Sequence, residues 1–179
     1  IPLHHVVQVD FNGFLEMIEI LGGVPMRVDY PLRDIKGHLS IPETGCINLT
    51  PEQALGLVRA RHLDAKVDGR WTRVDGRGDY ARIERQQDFL VLAMDRAFEK
   101  GVRNPSTLKA LVDDVAAGGF VNLDERLTFQ QILDLAAEFS DFASDGLAKY
   151  TLPIQPELIG EEPNLKAVSL LYEGAAKPV

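Results

Sequence analysis

His4–Tyr30 reads HHVVQVDFNGFLEMIEILGGVPMRVDY. Its opening, His4 to Asp10, is rich in valine and predicts a strand. Phe11, Phe14, Leu15, Ile18 and Leu21 then recur at spacings of three and four, which predicts a helix over 11–21. Gly22-Gly23 ends that helix, because glycine enters the left-handed conformation at little cost. Val24 to Tyr30 predicts a second strand. A strand, a helix of this length and a strand suggest a βαβ unit with parallel pairing. The fold class expected is therefore α/β, a mixed central sheet flanked by helices.

Working outward, Pro31 to Asn48 is broken by proline and glycine turn signals and reads as loop. Thr50-Pro51-Glu52-Gln53 has the residues of a helix start: threonine as cap, proline in the first turn, glutamine three residues on. That helix is expected to run to about Val58. Ala60 to Gly78 carries two glycine turns and much charge and reads as a long exposed loop, a kind of segment that usually has a function. From Asp79 to Lys100, Ile83, Gln87, Leu90, Met94 and Ala97 keep helical spacing, with Ile83 and Leu90 expected in the core. Gly101 stops this helix. Two more helices are predicted over 105–117 and 127–139, with the apolar piece 120–123 extended between them. Strands are predicted over 150–154 and 167–172. No internal repeat is present, and the length fits a single domain over 1–179.

Composition excludes several classes. Hydrophobic residues make up 45% and charged residues 26%, as in an ordinary globular chain. No apolar run is long enough to span a membrane. The start at Ile1-Pro2-Leu3, with neither initiator Met nor basic leader, reads as a boundary within a longer protein. Cys46 is the only cysteine, so no disulfide forms within the chain and no cysteine-based zinc site is plausible.

Charge singles out one region. Eight of the nineteen basic residues fall between Ala54 and Phe89: Arg59, Arg61, Lys66, Arg70, Arg73, Arg77, Arg82 and Arg85. Six acids share that stretch, which leaves it positive inside a chain of net charge −8. A local basic site in an acidic body suits a small anion better than a nucleic-acid duplex, and no nucleic acid partner is expected. Arginine presents a planar fork of donors that matches phosphate.

Spacing then sets a condition. Arg59 and Arg61 on one helix would point about 200° apart; only extended backbone puts them on one face. Both bind one anion only if the helix ends near Val58 or Arg59. The plain alternative is that one of them is a solvated surface arginine at a helix C-terminus, where positive charge is favoured anyway. Arg82 and Gln86 are four apart and share a helix face, with Arg85 close by. Asp79 stands where an N-cap or first-turn acid is favourable, and it could also pair with Arg82 or contact a metal. His62 reads as a loop residue or a proton donor. Trp71 and Tyr80 read as an apolar anchor or a sugar-stacking surface. No P-loop, nucleophile elbow or zinc-protease motif occurs.

Three segments carry a resemblance: VVQVDFNGFLEMIEILGGV (6–24), NLTPEQALGLVRARH (48–62) and GDYARIERQQDFL (78–90). Asp-Phe before a helix, Gly-Gly-Val after it, an Arg-x-Arg pair and Asp-x-x-Arg-x-x-Arg-Gln follow in order. Together they resemble the LytR-CpsA-Psr family, extracytoplasmic cell-wall enzymes of Gram-positive bacteria. LVDDV, NLDERLTFQQILDLA and KYTLPI extend the likeness over most of the chain. The insert containing DGRW looks like the actinobacterial branch.

The resemblance implies an α-β-α domain that transfers a polyprenyl-pyrophosphate-linked glycopolymer to a peptidoglycan acceptor through a phosphodiester bond. It implies catalytic roles for Arg59, Arg61, Asp79 and Arg82, and head-group contacts from Arg59, Arg61, Arg82, Arg85 and Gln86. It implies magnesium as cofactor. The family's Asp-Ser or Asp-Thr and Pro-Arg-Asp motifs, where that metal is expected, do not occur here. The chain therefore looks like the C-terminal part of the domain, without the N-terminal strands, the metal ligands or the membrane anchor. An N-terminal companion chain or a homo-oligomer is expected to cover the strand at His4–Asp10. The alternative is a non-catalytic polyprenyl-phosphate binder or scaffold of the cell envelope. A regulator of transcription is disfavoured by the acidic charge.

Overall fold

The structure, a computed structural model, describes residues 4–74, 76–119, 121–124, 126–138, 154–159 and 166–171. The chain divides into two compact units, Ile1–Gly146 and Leu147–Val179. In the first, β1 (Val7–Val9), α1 (Phe11–Ile20) and β2 (Val24–Val28) lead into three short strands, β3 (Leu32–Asp34), β4 (Leu39–Ile41) and β5 (Gly45–Leu49). Then come α2 (Pro51–Arg59), a hairpin of β6 (Asp64–Val67) and β7 (Arg70–Arg73), and the long α3 (Asp79–Glu99). α4 (Pro105–Ala117), β8 (Val121–Leu123) and α5 (Phe129–Glu138) follow. The second unit contains β9 (Ile154–Ile159) and β10 (Lys166–Leu171), paired antiparallel. Of the strand expected over 150–154, only Ile154 lies within the described residues.

Local chemistry sets the helix ends. Asp10 caps α1, its carboxylate accepting from Gly13 N at 2.8 Å. Gly22 and Gly23 follow with φ of 68° and 82°. Thr50 and Gln53 form a reciprocal capping box on α2: Thr50 Oγ1 accepts from Gln53 N, and Gln53 Oε1 accepts from Thr50 N at 3.0 Å. A Cβ at Gly56 would stand 3.0 Å from Leu39 Cδ1, so glycine lets α2 lie close against β4.

The expected parallel pairing does not form. β1 pairs with β8, β2 with β5, and β4-β3-β6-β7 make a four-stranded sheet; every described pairing is antiparallel. α1 returns β2 to a different sheet from β1, so strand-helix-strand succession here is not a βαβ unit. The two expected loops also contain strands: Pro31–Asn48 holds β3, β4 and β5, and Ala60–Gly78 holds the β6–β7 hairpin. Asp68 and Gly69 both take positive φ at its turn, 49° and 78°.

The core gathers Ile18, Leu21, Val24, Val28, Leu39, Ile41, Leu49, Leu57 and Phe89 between α1, α2, α3 and the strands β2, β4 and β5. α3 buries Ala81 and Phe89 and packs Ala93 and Ala97 behind them. Ile83 and Leu90, expected inside, are exposed, Leu90 at 66%. The buried face of α3 runs instead through Phe89, Leu92, Ala93 and Ala97, with the Phe89 ring centroid 5.7 Å from that of Phe14. β8 occupies one edge of β1, while Val7 and Val9 stay exposed.

Candidate functional site

α2 ends at Arg59, because Ala60 leaves the helix with φ −58° and ψ 127°. That single extended residue meets the condition set by the Arg-x-Arg spacing. Arg59 and Arg61 both line one cavity of about 630 Å³, together with Phe11, Asp34, Lys36, Gly37, His62, Arg82 and Gln86. The guanidinium of Arg59 lies 4.4 Å above the Phe11 ring, at the start of α1.

Asp34 fixes one wall. It is 2% exposed and accepts four backbone N–H bonds. Arg61 N and His62 N reach Oδ2 at 3.0 and 2.9 Å, and Lys36 N and Gly37 N reach Oδ1 at 3.0 Å each. Burial pushes its carboxyl up, but the four N–H donors outweigh burial and hold it below the ordinary carboxylate range. A charged Asp34 therefore bolts the β3–β4 turn to the backbone that presents Arg61.

The first turns of α3 form the opposite wall. Arg82 Nη2 lies 2.7 Å from Asp79 Oδ1, and Arg61 Nε lies 3.2 Å from the same oxygen. One carboxylate thus holds two guanidiniums, Arg61 and Arg82, that lie 21 residues apart in sequence. Arg82 Nε is buried and lacks a hydrogen-bond partner among the described residues. Gln86 Nε2 donates to Val58 O at 2.9 Å, and Arg85 donates to Ala60 O. These two bonds satisfy carbonyls at the end of α2 and tie the two helices together.

The structure brings Arg59, Arg61, Arg82 and Gln86 around one cavity, with Asp79 bridging two of them. Arg85 does not line it and instead holds the backbone between the two arginines. Asp34 and Lys36 were hidden in the segment that reads as loop; the signal for Asp34 is an aspartate folding over the two residues that follow it. Trp71 lines no part of the cavity and lies under the Arg33 guanidinium at 4.0 Å. Lys36, Arg59, Arg61 and Arg82 face one lining carboxylate, already saturated by N–H donors. The arrangement can hold a multiply charged anion with phosphate geometry.

Magnesium does not fit the described residues. Among them no group of three His, Cys, Asp or Glu side chains is placed to hold a metal ion. Asp34 commits both oxygens to backbone donors, and Asp79 Oδ1 is shared by two guanidiniums.

The LytR_cpsA_psr family profile matches residues 1–174. The chain belongs to the LytR_cpsA_psr family. It is similar to a polyisoprenyl-teichoic acid–peptidoglycan teichoic acid transferase TagU of Bacillus cereus, 27% identical over 141 residues, 79% of this chain and 40% of that protein. TagV of Bacillus subtilis, which carries the same transferase description, is 28% identical over 151 residues, 80% of this chain and 34% of that one. Among solved structures, a LytR-Csp2A-Psr enzyme from Actinomyces oris superposes with a TM-score of 0.73 at 25% identity, covering 98% of this chain and 62% of that one. The chain thus spans two-fifths or less of these two curated relatives. Its α/β class and the LytR_cpsA_psr fold agree with what the sequence resemblance implied.

Proposed function

We propose that this chain is part of a transferase that moves a polyprenyl-pyrophosphate-linked glycopolymer onto peptidoglycan through a phosphodiester bond. The observation that carries this reading is the convergence of Arg59, Arg61 and Arg82 on one cavity. Arg82 and Arg61 grip the phosphate oxygens, Arg59 closes the Phe11 side, and Asp79 holds two of the three in place before the ligand arrives. Gln86 and Arg85 keep the two helices at the spacing this needs. Phosphoryl transfer asks for positioning and charge stabilisation rather than a protein nucleophile, so an arginine cradle suits it.

Magnesium, in this reading, is held by carboxylates outside the described residues. The site works at the extracytoplasmic face of the membrane, against the cell wall. Among the described residues no helix is long and apolar enough to cross a membrane, so attachment comes from elsewhere in the protein. The exposed Val7 and Val9 belong to the surface that a companion segment or a second copy covers.

The test uses the whole protein that carries this chain, a lipid-pyrophosphate glycopolymer and purified peptidoglycan. Covalent attachment of polymer is expected, and Arg61→Ala and Arg82→Ala should each reduce it about 100-fold. Attachment at the parental rate in both variants would overturn the proposal. Lipid binding without any transfer would leave the chain as a polyprenyl-phosphate binder.

A further inference from the structure

Beside the arginine cavity lies a second one of about 340 Å³, lined by Asp34, Ile35, Lys36, His62, Asp64 and Arg73. The two share Asp34, Lys36 and His62, so they adjoin along the β3–β4 turn and the residue after the arginine pair. A ligand held by phosphate in the first would run past Lys36 and His62 into the second.

The chemistry of the two cavities differs. In the second the arginine is already paired, and Lys36, shared with the first cavity, is the lining cation without a carboxylate partner among the described residues. Arg73 Nε is 2.9 Å from Asp64 Oδ1, and Arg33 Nε is 3.7 Å from Asp64 Oδ2. Arg73 Nη1 is also 3.1 Å from His62 Nδ1. A guanidinium only donates, so Nδ1 must accept, and the hydrogen of the neutral ring sits on Nε2. His62 is thereby fixed as a donor at the boundary between the cavities. A carboxylate has about four acceptor positions, so Asp64 keeps capacity after its contact with Arg73. Ile35 adds apolar surface and is 70% exposed. Donors and acceptors held side by side, with little excess charge and one apolar patch, match the vicinal hydroxyls and C–H face of a sugar. A second phosphate would need several uncompensated cations; Arg73 is paired with Asp64, and Lys36 is shared with the first cavity.

We infer that this second cavity is a saccharide subsite, with Arg73, Asp64 and His62 reading the hydroxyls of a sugar next to the bound pyrophosphate. The assignment rests on the head-group reading of the arginine cavity. The sugar belongs either to the glycolipid donor or to the peptidoglycan acceptor, and the chemistry that recognises it is the same.

The experiment measures binding to the whole protein with three probes: bare polyprenyl pyrophosphate, the same lipid carrying N-acetylglucosamine, and a soluble peptidoglycan disaccharide. The variants are Arg73→Ala and Ile35→Trp, the latter at an exposed position where a larger ring fills the cavity without disturbing the core. Both should weaken one saccharide probe by about tenfold or more, as the loss of a charged hydrogen bond does, while the loss for the bare lipid stays much smaller. Loss confined to the sugar-bearing lipid assigns the subsite to the donor, and loss confined to the disaccharide assigns it to the acceptor. The subsite is overturned if neither saccharide probe responds to either variant, or if the bare lipid weakens as much as they do. Failure of the parent protein to bind bare polyprenyl pyrophosphate would instead sink the head-group reading, and the subsite with it.

Discussion

The two walls of the arginine cavity are held by opposite means. On the β3–β4 side, a buried aspartate grips four backbone N–H groups, so the chain itself is fixed and Arg61 is carried on it. On the α3 side, Asp79 is 55% exposed in its side chain and grips only the guanidinium ends of Arg61 and Arg82. The first arrangement costs much to break and does not rearrange. The second exchanges partners readily, which is what a site needs when a phosphate is to replace a carboxylate. One cavity thus combines a rigid frame with replaceable counter-charge.

The largest effect should come from breaking the rigid wall. Asp34→Ala leaves four N–H donors facing a hole and should lower stability by about 3 kcal/mol or more, read by denaturant titration. Asp79→Ala, at an exposed pair, should cost under about 1 kcal/mol. Equal losses would erase the contrast between the walls. Acid gives a second handle on Asp34. Its folded carboxyl titrates below the ordinary value, so its contribution is complete above that value and is lost as pH falls through the depressed one. The parent should therefore lose stability on acidification below the usual carboxylate range. Asp34→Asn should start less stable and lose that part of the slope.

On the replaceable wall, Arg82 matters more to the ligand than to the fold. Its side chain is 23% exposed and its Nε has no partner among the described residues. Arg82→Ala should reduce transfer about 100-fold, the cost of one lost donor at a developing charge. Arg82→Lys should recover little of this, because a lysine offers a point charge and no fork. A lysine variant with parental transfer rates would show that charge alone suffices there.

Sequence made the second wall far more legible than the first. Caps and helical spacing are local, so the Thr50–Gln53 box and the face shared by Arg82 and Gln86 can be read directly. The Arg-x-Arg spacing set the condition that α2 must stop near Val58 or Arg59 if both arginines are to share one anion. The strands were harder, because β3, β4, β6 and β7 are three or four residues long and two of them are mostly charged or polar. Asp68-Gly69 is a strong hairpin signal, but charged flanks without alternation obscured it. For Asp34 only the local turn to Lys36 and Gly37 leaves a signal; its other two donors lie 27 and 28 residues away and leave none. Pairing hand was misread because a strand, a helix and a strand in succession do not say which sheet the second strand joins.

A smaller effect tests whether the α2 frame matters to the cavity. Thr50→Ala removes the reciprocal cap at the far end of α2 from Arg59 and should cost about 1 kcal/mol of stability. Because Gln86 and Arg85 hold the C-terminal end of α2 separately, head-group binding should not follow that loss. A parallel drop in pyrophosphate affinity would mean that the helix transmits its N-terminal order to the arginine pair.

Asp79→Asn should change stability least and say most about exchange. The substitution keeps the shape of the side chain but removes the charge shared by Arg61 Nε and Arg82 Nη2. At this exposure the stability change should stay within about 0.5 kcal/mol. Binding of inorganic pyrophosphate to the whole protein should tighten, because the anion no longer displaces a carboxylate, and its dependence on salt should steepen as two guanidiniums become available. Transfer should nevertheless slow, because the arginines lose the partner that sets their geometry before the substrate arrives. Tighter binding with slower transfer is the outcome that separates a positioning carboxylate from a mere surface ion pair. Unchanged values for both would leave Asp79 with no part in the site.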